Sequence, residues 1–265
     1  MPYRYLSYLA SAMARNSLHE MVFFLLMIAP TAHAGGPKFI AGSTYFDPAV
    51  LGQPVHWKNG ALDYYVDQGP LRAGVSNQQA VAMVDAAAAL WSAVPTAGVT
   101  LTDRGALNED VSGLNTAAAN KVFAAPSDVT PTATGYPVGV VFDADGSVID
   151  GLFGAGASDP TSCQFNGVWF WLDGIRTDAT VSHAVILLNG RCAGTMNQLT
   201  MMSFELERAF RRILGLDYSQ VNVGAAVNGM PNGTQGWPVM QPISGACGSN
   251  GGNCILNPTQ LRLDD

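Results

Sequence analysis

Arg208 and Arg212 lie four residues apart on the most regular amphipathic segment of the chain, with Ala209 between them and Tyr218 shortly after. Side chains at i and i+4 share one face of a helix, the spacing at which two imidazoles converge on a zinc ion. A zinc site that activates water needs neutral imidazoles or carboxylates, an open position and a base nearby. A guanidinium stays protonated and has no lone pair, so these two arginines repel a dication. The four histidines, His19, His33, His56 and His183, do not repair this, because no two stand four apart. His56 and His183 fall in strand-like runs and read as structural or surface side chains. The arginines can instead hold a carboxylate or other anion, since the guanidinium fork suits bidentate recognition. The expected role is plainer: Glu205 precedes Arg208 by three residues and Glu207 precedes Arg211 by four, the pattern of a solvated, salt-bridged helix face.

Three other groups could do chemistry. Asp143, Asp145 and Asp150 lie in Asp143-Ala-Asp-Gly-Ser-Val-Ile-Asp150, whose D-x-D-G core could offer oxygens to Ca²⁺. The first position of a full calcium loop lacks an acid and Leu152 replaces its closing glutamate, so a Gly turn with solvated aspartates is the expectation. Trp169 and Trp171 alternate on one side of a strand, where packing is expected ahead of a sugar-stacking role. The four cysteines, Cys163, Cys192, Cys247 and Cys254, would pair in an oxidising compartment. Cys247 and Cys254 close a short Gly/Asn loop and are expected partners, which leaves Cys163 with Cys192.

A formal charge of −7 over 265 residues, without a basic cluster, argues against nucleic acid as a partner. The run Met21–Ala29 is apolar, follows Arg4 and Arg15, and precedes Ala32-His-Ala34, the form of a signal-peptidase site. Nine residues are too few for a bilayer, which needs about 20. Residues 1–34 are therefore expected to be a signal peptide, with initiation at Met1, Met13 or Met21. The mature protein is expected to be exported, periplasmic or extracellular, with no transmembrane anchor.

Several elements must position these groups. Leu62–Asp67 reads as a strand, and Ser76 with Gln79 forms a capping box for a helix that buries Ala80, Val84, Ala87, Ala88 and Trp91. Pro95 ends that helix, and a strand at 99–102 follows. Residues 105–138 are rich in Ala, Asn, Thr and Pro and are expected to hold little regular structure. Strands are expected at 138–142, 168–171 and 182–188. A long helix over 196–214 carries Met202, Leu206, Phe210, Ile213 and Leu214 on one face.

The segment Arg208-Ala-Phe-Arg-Arg-Ile-Leu-Gly-Leu-Asp-Tyr-Ser219 resembles the zinc-binding segment of matrixin-like metalloproteases, within the metzincin group. The family pattern is H-E-x-x-H-x-x-G-x-x-H, commonly followed by Ser. Gly215 and Ser219 match, whereas the ligand positions read Arg208, Arg212 and Tyr218 and the general-base position reads Ala209. Trp57, Gly60, Leu62, Tyr64 and Trp91 match the start of such a domain, and Gly236–Pro242 resembles the Met-turn, with Met240 as the residue under the metal. The resemblance spans about residues 55–265, after a lead-in at 35–54, and implies a further helix beyond Asp265, so the chain reads as truncated there. It also places the Asp143 loop near the edge strand bordering a substrate cleft, which favours calcium. The implied fold is α+β (α/β-like): a twisted, mostly parallel sheet with an antiparallel edge strand, two long helices and a small irregular C-terminal subdomain. The implied cofactor is zinc, but none is expected with these residues, and calcium is the candidate cation. The function expected is that of an exported pseudoprotease with a polypeptide or surface partner. The alternative is a working zinc endopeptidase using other ligands, for which only His56 and His183 could supply imidazoles.

Overall fold

The computed structural model describes residues 36–94, 98–119 and 121–217. The expectations for the signal segment, Tyr218, Met240, the Cys247–Cys254 pair and the C-terminal subdomain lie outside the described residues. The elements are β1 (His56–Trp57), β2 (Ala61–Val66), α1 (Asn77–Ser92), β3 (Thr100–Ala106), β4 (Ala117–Ala119) and β5 (Val122–Ala125). There follow β6 (Val138–Asp143), α2 (Ser147–Phe153), α3 (Cys163–Asn166), β7 (Val168–Ile175), β8 (Thr180–Asn189) and α4 (Met196–Ile213).

Both long helices start where their side chains satisfy the first free N–H groups. Ser76 and Gln79 close a reciprocal capping box on α1, and Thr195 and Gln198 close a second on α4. The strands are set by apolar runs: β6 and β8 are buried on both faces, as parallel strands covered on two sides must be. The main sheet runs in the order β3-β2-β6-β8 with all four parallel, and β7 lies antiparallel on β8. Two residues of β1 also pair with β8. This is the expected α+β class, a mostly parallel sheet with an antiparallel edge strand and two long helices.

Successive side chains on a strand point to opposite faces, and the core divides accordingly. Val140, Phe142, Ala184, Ile186 and Leu188 join the cluster that holds α1 and α4. Val141, Val185 and Leu187 join a second cluster on the other face, with Leu107, Val111, Phe123 and Val129. The segment 105–138, expected to be largely irregular, is thus the cover of that second face and contains the β4–β5 hairpin. Its apolar anchors are too widely and unevenly spaced to show a strand or helix period in sequence.

Two buried carboxylates fasten this face, Asp67 the cover and Asp143 the start of α2. Asp67, 1 % exposed, accepts N–H groups from Gly69 at 3.3 Å and Val111 at 3.0 Å on Oδ1, and from Phe142 at 2.9 Å on Oδ2. Asp143 accepts from Val148 at 3.2 Å and Ile149 at 2.8 Å. Burial pushes Asp67 up to about 7, against the pull of its three N–H bonds, and pushes Asp143 up to about 6. A carboxyl whose folded value is raised adds stability that is complete below its unfolded value, near 4, and is lost as pH rises through the folded value. Stability from these two groups is therefore expected to fall between about pH 4 and 7, by on the order of a few kcal/mol. Urea unfolding should show a higher midpoint at pH 5 than at pH 7.5, and Asp67→Asn should flatten that slope. Unchanged pH dependence in the variant would contradict the assignment.

Candidate functional site

Helix α4 is where chemistry was expected, and two tryptophans hold it in place. Trp57 Nε1 donates to the Ile213 carbonyl at 2.7 Å, and Trp91 Nε1 donates to the Glu207 carbonyl at 2.9 Å. Phe210 meets the Tyr64 ring edge-on at 5.6 Å between centroids. The helix ends in a Schellman turn: Leu216 N–H reaches the Arg211 carbonyl, Gly215 N–H reaches Arg212, and Gly215 takes φ +89°. A Cβ on residue 215 would stand 2.9 Å from the Val55 carbonyl oxygen. Gly215 therefore has a local reason to be glycine, which needs no metal.

Beyond the cap the chain pairs with the lead-in. Lys38 N–H donates to the Gly215 carbonyl at 2.7 Å, and Asp217 N–H donates to Gly36 at 2.9 Å. This strap closes over the end of α4 that carries Arg212.

The arginines are not on a solvated face. Arg208 is 3 % exposed, Arg211 is fully buried and Glu207 is 5 % exposed, which corrects the expectation of an open, salt-bridged surface. The reason is that α4 packs against α1 and β7 as well as the sheet, so more than its apolar stripe is covered. The local pairing itself is present for Arg208, whose Nη1 lies 2.8 Å from Glu205 Oε1. Arg212 pairs with Asp217, in the turn that follows the helix. The Arg211 guanidinium lies 5.8 Å from the centre of the Trp91 ring. Burial raises the Glu205 carboxyl above its ordinary value, and Arg208 opposes that rise. Burial and then Arg212 lower the Lys38 ammonium, with Asp217 opposing.

The guanidinium groups are thus enclosed, while their carboxylate partners reach toward the surface, Glu205 at 20 % and Asp217 at 51 % side-chain exposure. Arg208 and Arg212 each already hold a carboxylate of the chain, so neither is presented as an empty anion fork. Ala209, which the resemblance to matrixins would align with a general base, is wholly buried among apolar side chains. The residues in place do not fit zinc, because the ligand positions within the described helix carry cations without lone pairs.

The other candidates resolve as follows. Asp143, Asp145 and Asp150 are each engaged by backbone donors of the chain, and Asp143 is buried rather than solvated as expected. Asp143 binds the first N–H groups of α2, Asp145 accepts from Ser147 N–H at 2.9 Å, and Asp150 accepts from Ser158 N–H at 2.9 Å. The D-x-D-G segment is the start of a short helix, its aspartates spent on backbone donors, as carboxylates at a helix N-terminus commonly are. Among the described residues no three His, Cys, Asp or Glu side chains group as metal ligands do.

Cys163 and Cys192 are joined in a disulfide, the pairing expected, which ties α3 to the turn preceding α4. Closing a loop with a sequence separation of 29 contributes about 3–4 kcal/mol in the chain-entropy picture. Trp169 stacks on Phe153 at 4.2 Å and Trp171 on Phe123 at 6.1 Å, so both pack against the second core cluster. His56 is exposed, with Nδ1 3.0 Å from the Pro54 carbonyl.

His183 is wholly buried, and its Nδ1 lies 2.5 Å from Asp173 Oδ1. Neither Asp173 nor Asp67 was singled out from sequence. An aspartate at a strand end or beside a glycine looks the same whether it turns to water or inward. Trp169, Trp171 and Asp173 do share one alternation, and that is the only signal that pointed to a common face.

No helix among the described residues is long and apolar enough to cross a membrane. No family model, curated protein or solved structure matches this chain.

Proposed function

We propose that this chain is an exported, matrixin-like protein that has lost peptide hydrolysis and acts by binding a polypeptide. The observation that carries the reading is the buried Arg208, paired with the partly enclosed Glu205, at a position where the family places a zinc-binding imidazole. A guanidinium there supplies fixed positive charge and can neither ligate a metal nor activate water.

Two further features support the reading. The sheet has an antiparallel edge strand, β7, which among the described residues pairs only with β8. An extended peptide can add to such an edge through main-chain hydrogen bonds, and this needs no metal. The Cys163–Cys192 bond suits a protein that matures in an oxidising compartment.

The test is zinc content and peptide cleavage measured on one sample of the mature chain. Neither bound zinc nor chelator-sensitive cleavage is expected. Cleavage that a chelator abolishes would restore the alternative, a working zinc endopeptidase.

A further inference from the structure

We infer that Asp173 and His183 form a latch that fixes the bulged end of edge strand β7, keeping its outer edge in register for a paired peptide. The peptide part of this rests on the proposed binding role; the latch itself does not.

The β7–β8 ladder is regular from Val168 to Leu172, opposite Leu188 to Ala184. It then shifts register twice, between Leu172 and Gly174 and again between Gly174 and Ile175. Asp173 and Ser182 fall in these shifts and have no partner in the ladder. A bulge bends its strand and re-aims a side chain. Here the re-aimed side chain takes over where the ladder lapses. Asp173 Oδ1 lies 2.5 Å from His183 Nδ1, with the two side chains 4 % and 1 % exposed. Its other oxygen accepts from Trp171 Nε1 at 3.2 Å. One carboxylate therefore joins the regular part of β7 to β8 across the break.

Gly174 permits this closeness. A Cβ there would stand 2.7 Å from the His183 Cβ and backbone N, and from Ser182 Oγ. The remaining observation separates a latch from ordinary core packing. His183 Nε2 is buried and meets no hydrogen-bonding side chain or backbone group among the described residues. An idle buried nitrogen costs stability, so an apolar residue would suit a purely packing role better. Among the described residues the ring is held by hydrogen bonding from one side, through Asp173. Residues 172–176 keep the pairings of Gly174 and Ile175 and the Arg176–Thr180 bond, so loss of the latch should loosen this stretch rather than detach it.

Native-state hydrogen exchange on the full chain tests this. Asp173→Ala should speed amide exchange at 172–176 at least tenfold while amides at 184–188, paired with β6, keep wild-type rates. His183→Asn places an amide N–H where Nδ1 stands and removes Nε2, and should stay within about threefold of wild type. The inference is overturned if Asp173→Ala leaves 172–176 unchanged, or if exchange rises equally throughout β6 and β8. Should Asp173→Ala fail to fold, His183→Leu against His183→Asn decides: a tenfold difference at 172–176 supports the latch, and equal rates overturn it. No peptide enters this experiment, so its failure would leave the binding proposal standing.

Discussion

Asp67→Ala is expected to destabilise the protein by roughly 4 kcal/mol or more, because it strands three buried N–H donors at once. The donors belong to Gly69 at the exit of β2, Val111 in the cover of the second face, and Phe142 in β6. A small apolar residue there leaves the N–H groups of three segments facing a cavity that offers no acceptor. In a domain of this size such a loss lowers the melting temperature by roughly 10 °C or more. The cover should suffer first, since the Val111 N–H lies 3.0 Å from that carboxylate and the rest of the cover is held on this face by apolar packing. Equilibrium unfolding in urea measures the loss. A change under about 1 kcal/mol, typical of a surface substitution, would mean that the cover stays in place without Asp67.

Arg208→Ala is expected to cost roughly 3 kcal/mol, the low end of the range for removing one member of a fully buried pair, because the Glu205 side chain keeps 20 % of its surface in solvent. The arginine is 3 % exposed, and its removal leaves Glu205 half-enclosed, with burial already pushing its carboxyl up. Removing both charges has a different expected result. Arg208→Met with Glu205→Leu should recover most of the loss, because apolar side chains of similar size often match or exceed a buried ion pair in stability. A double-mutant cycle read by chemical denaturation gives the coupling directly. Equal and additive losses from both single variants would show that the pair behaves as an exposed one. For function the point is where the charge sits: on α4 it is built into the chain, so stability should not depend on a bound metal.

Parts of this were legible in sequence because the signal is local. The capping box at Ser76 and Gln79 and the stripe through Trp91 define α1 within a single window of residues. The long apolar run of β8 announces a doubly covered strand. The Cys163–Cys192 pairing followed once the other two cysteines were set together. The rest depended on what packs against an element from far along the chain. Glu205 and Arg208 have the same i, i+3 spacing on an exposed helix as on a buried one. Only the strap at Gly36–Lys38 and the neighbours α1 and β7 decide that α4 is enclosed. The aspartates of the D-x-D-G segment carry the composition of a cation loop, yet their partners are backbone N–H groups a few residues on. Residues 105–138 became a core cover through four separated apolar side chains that no periodicity reveals.

Fixed guanidinium groups stand on α4 where the resemblance to matrixins would call for metal ligands. The most direct measurement is elemental analysis of the purified, tag-free mature chain after exposure to equimolar zinc and removal of the excess, with cleavage of a generic unfolded protein assayed on the same sample. Well under one zinc per chain, no chelator-sensitive cleavage and a melting temperature unchanged by chelation are expected. One zinc per chain with cleavage that chelation abolishes would contradict that expectation.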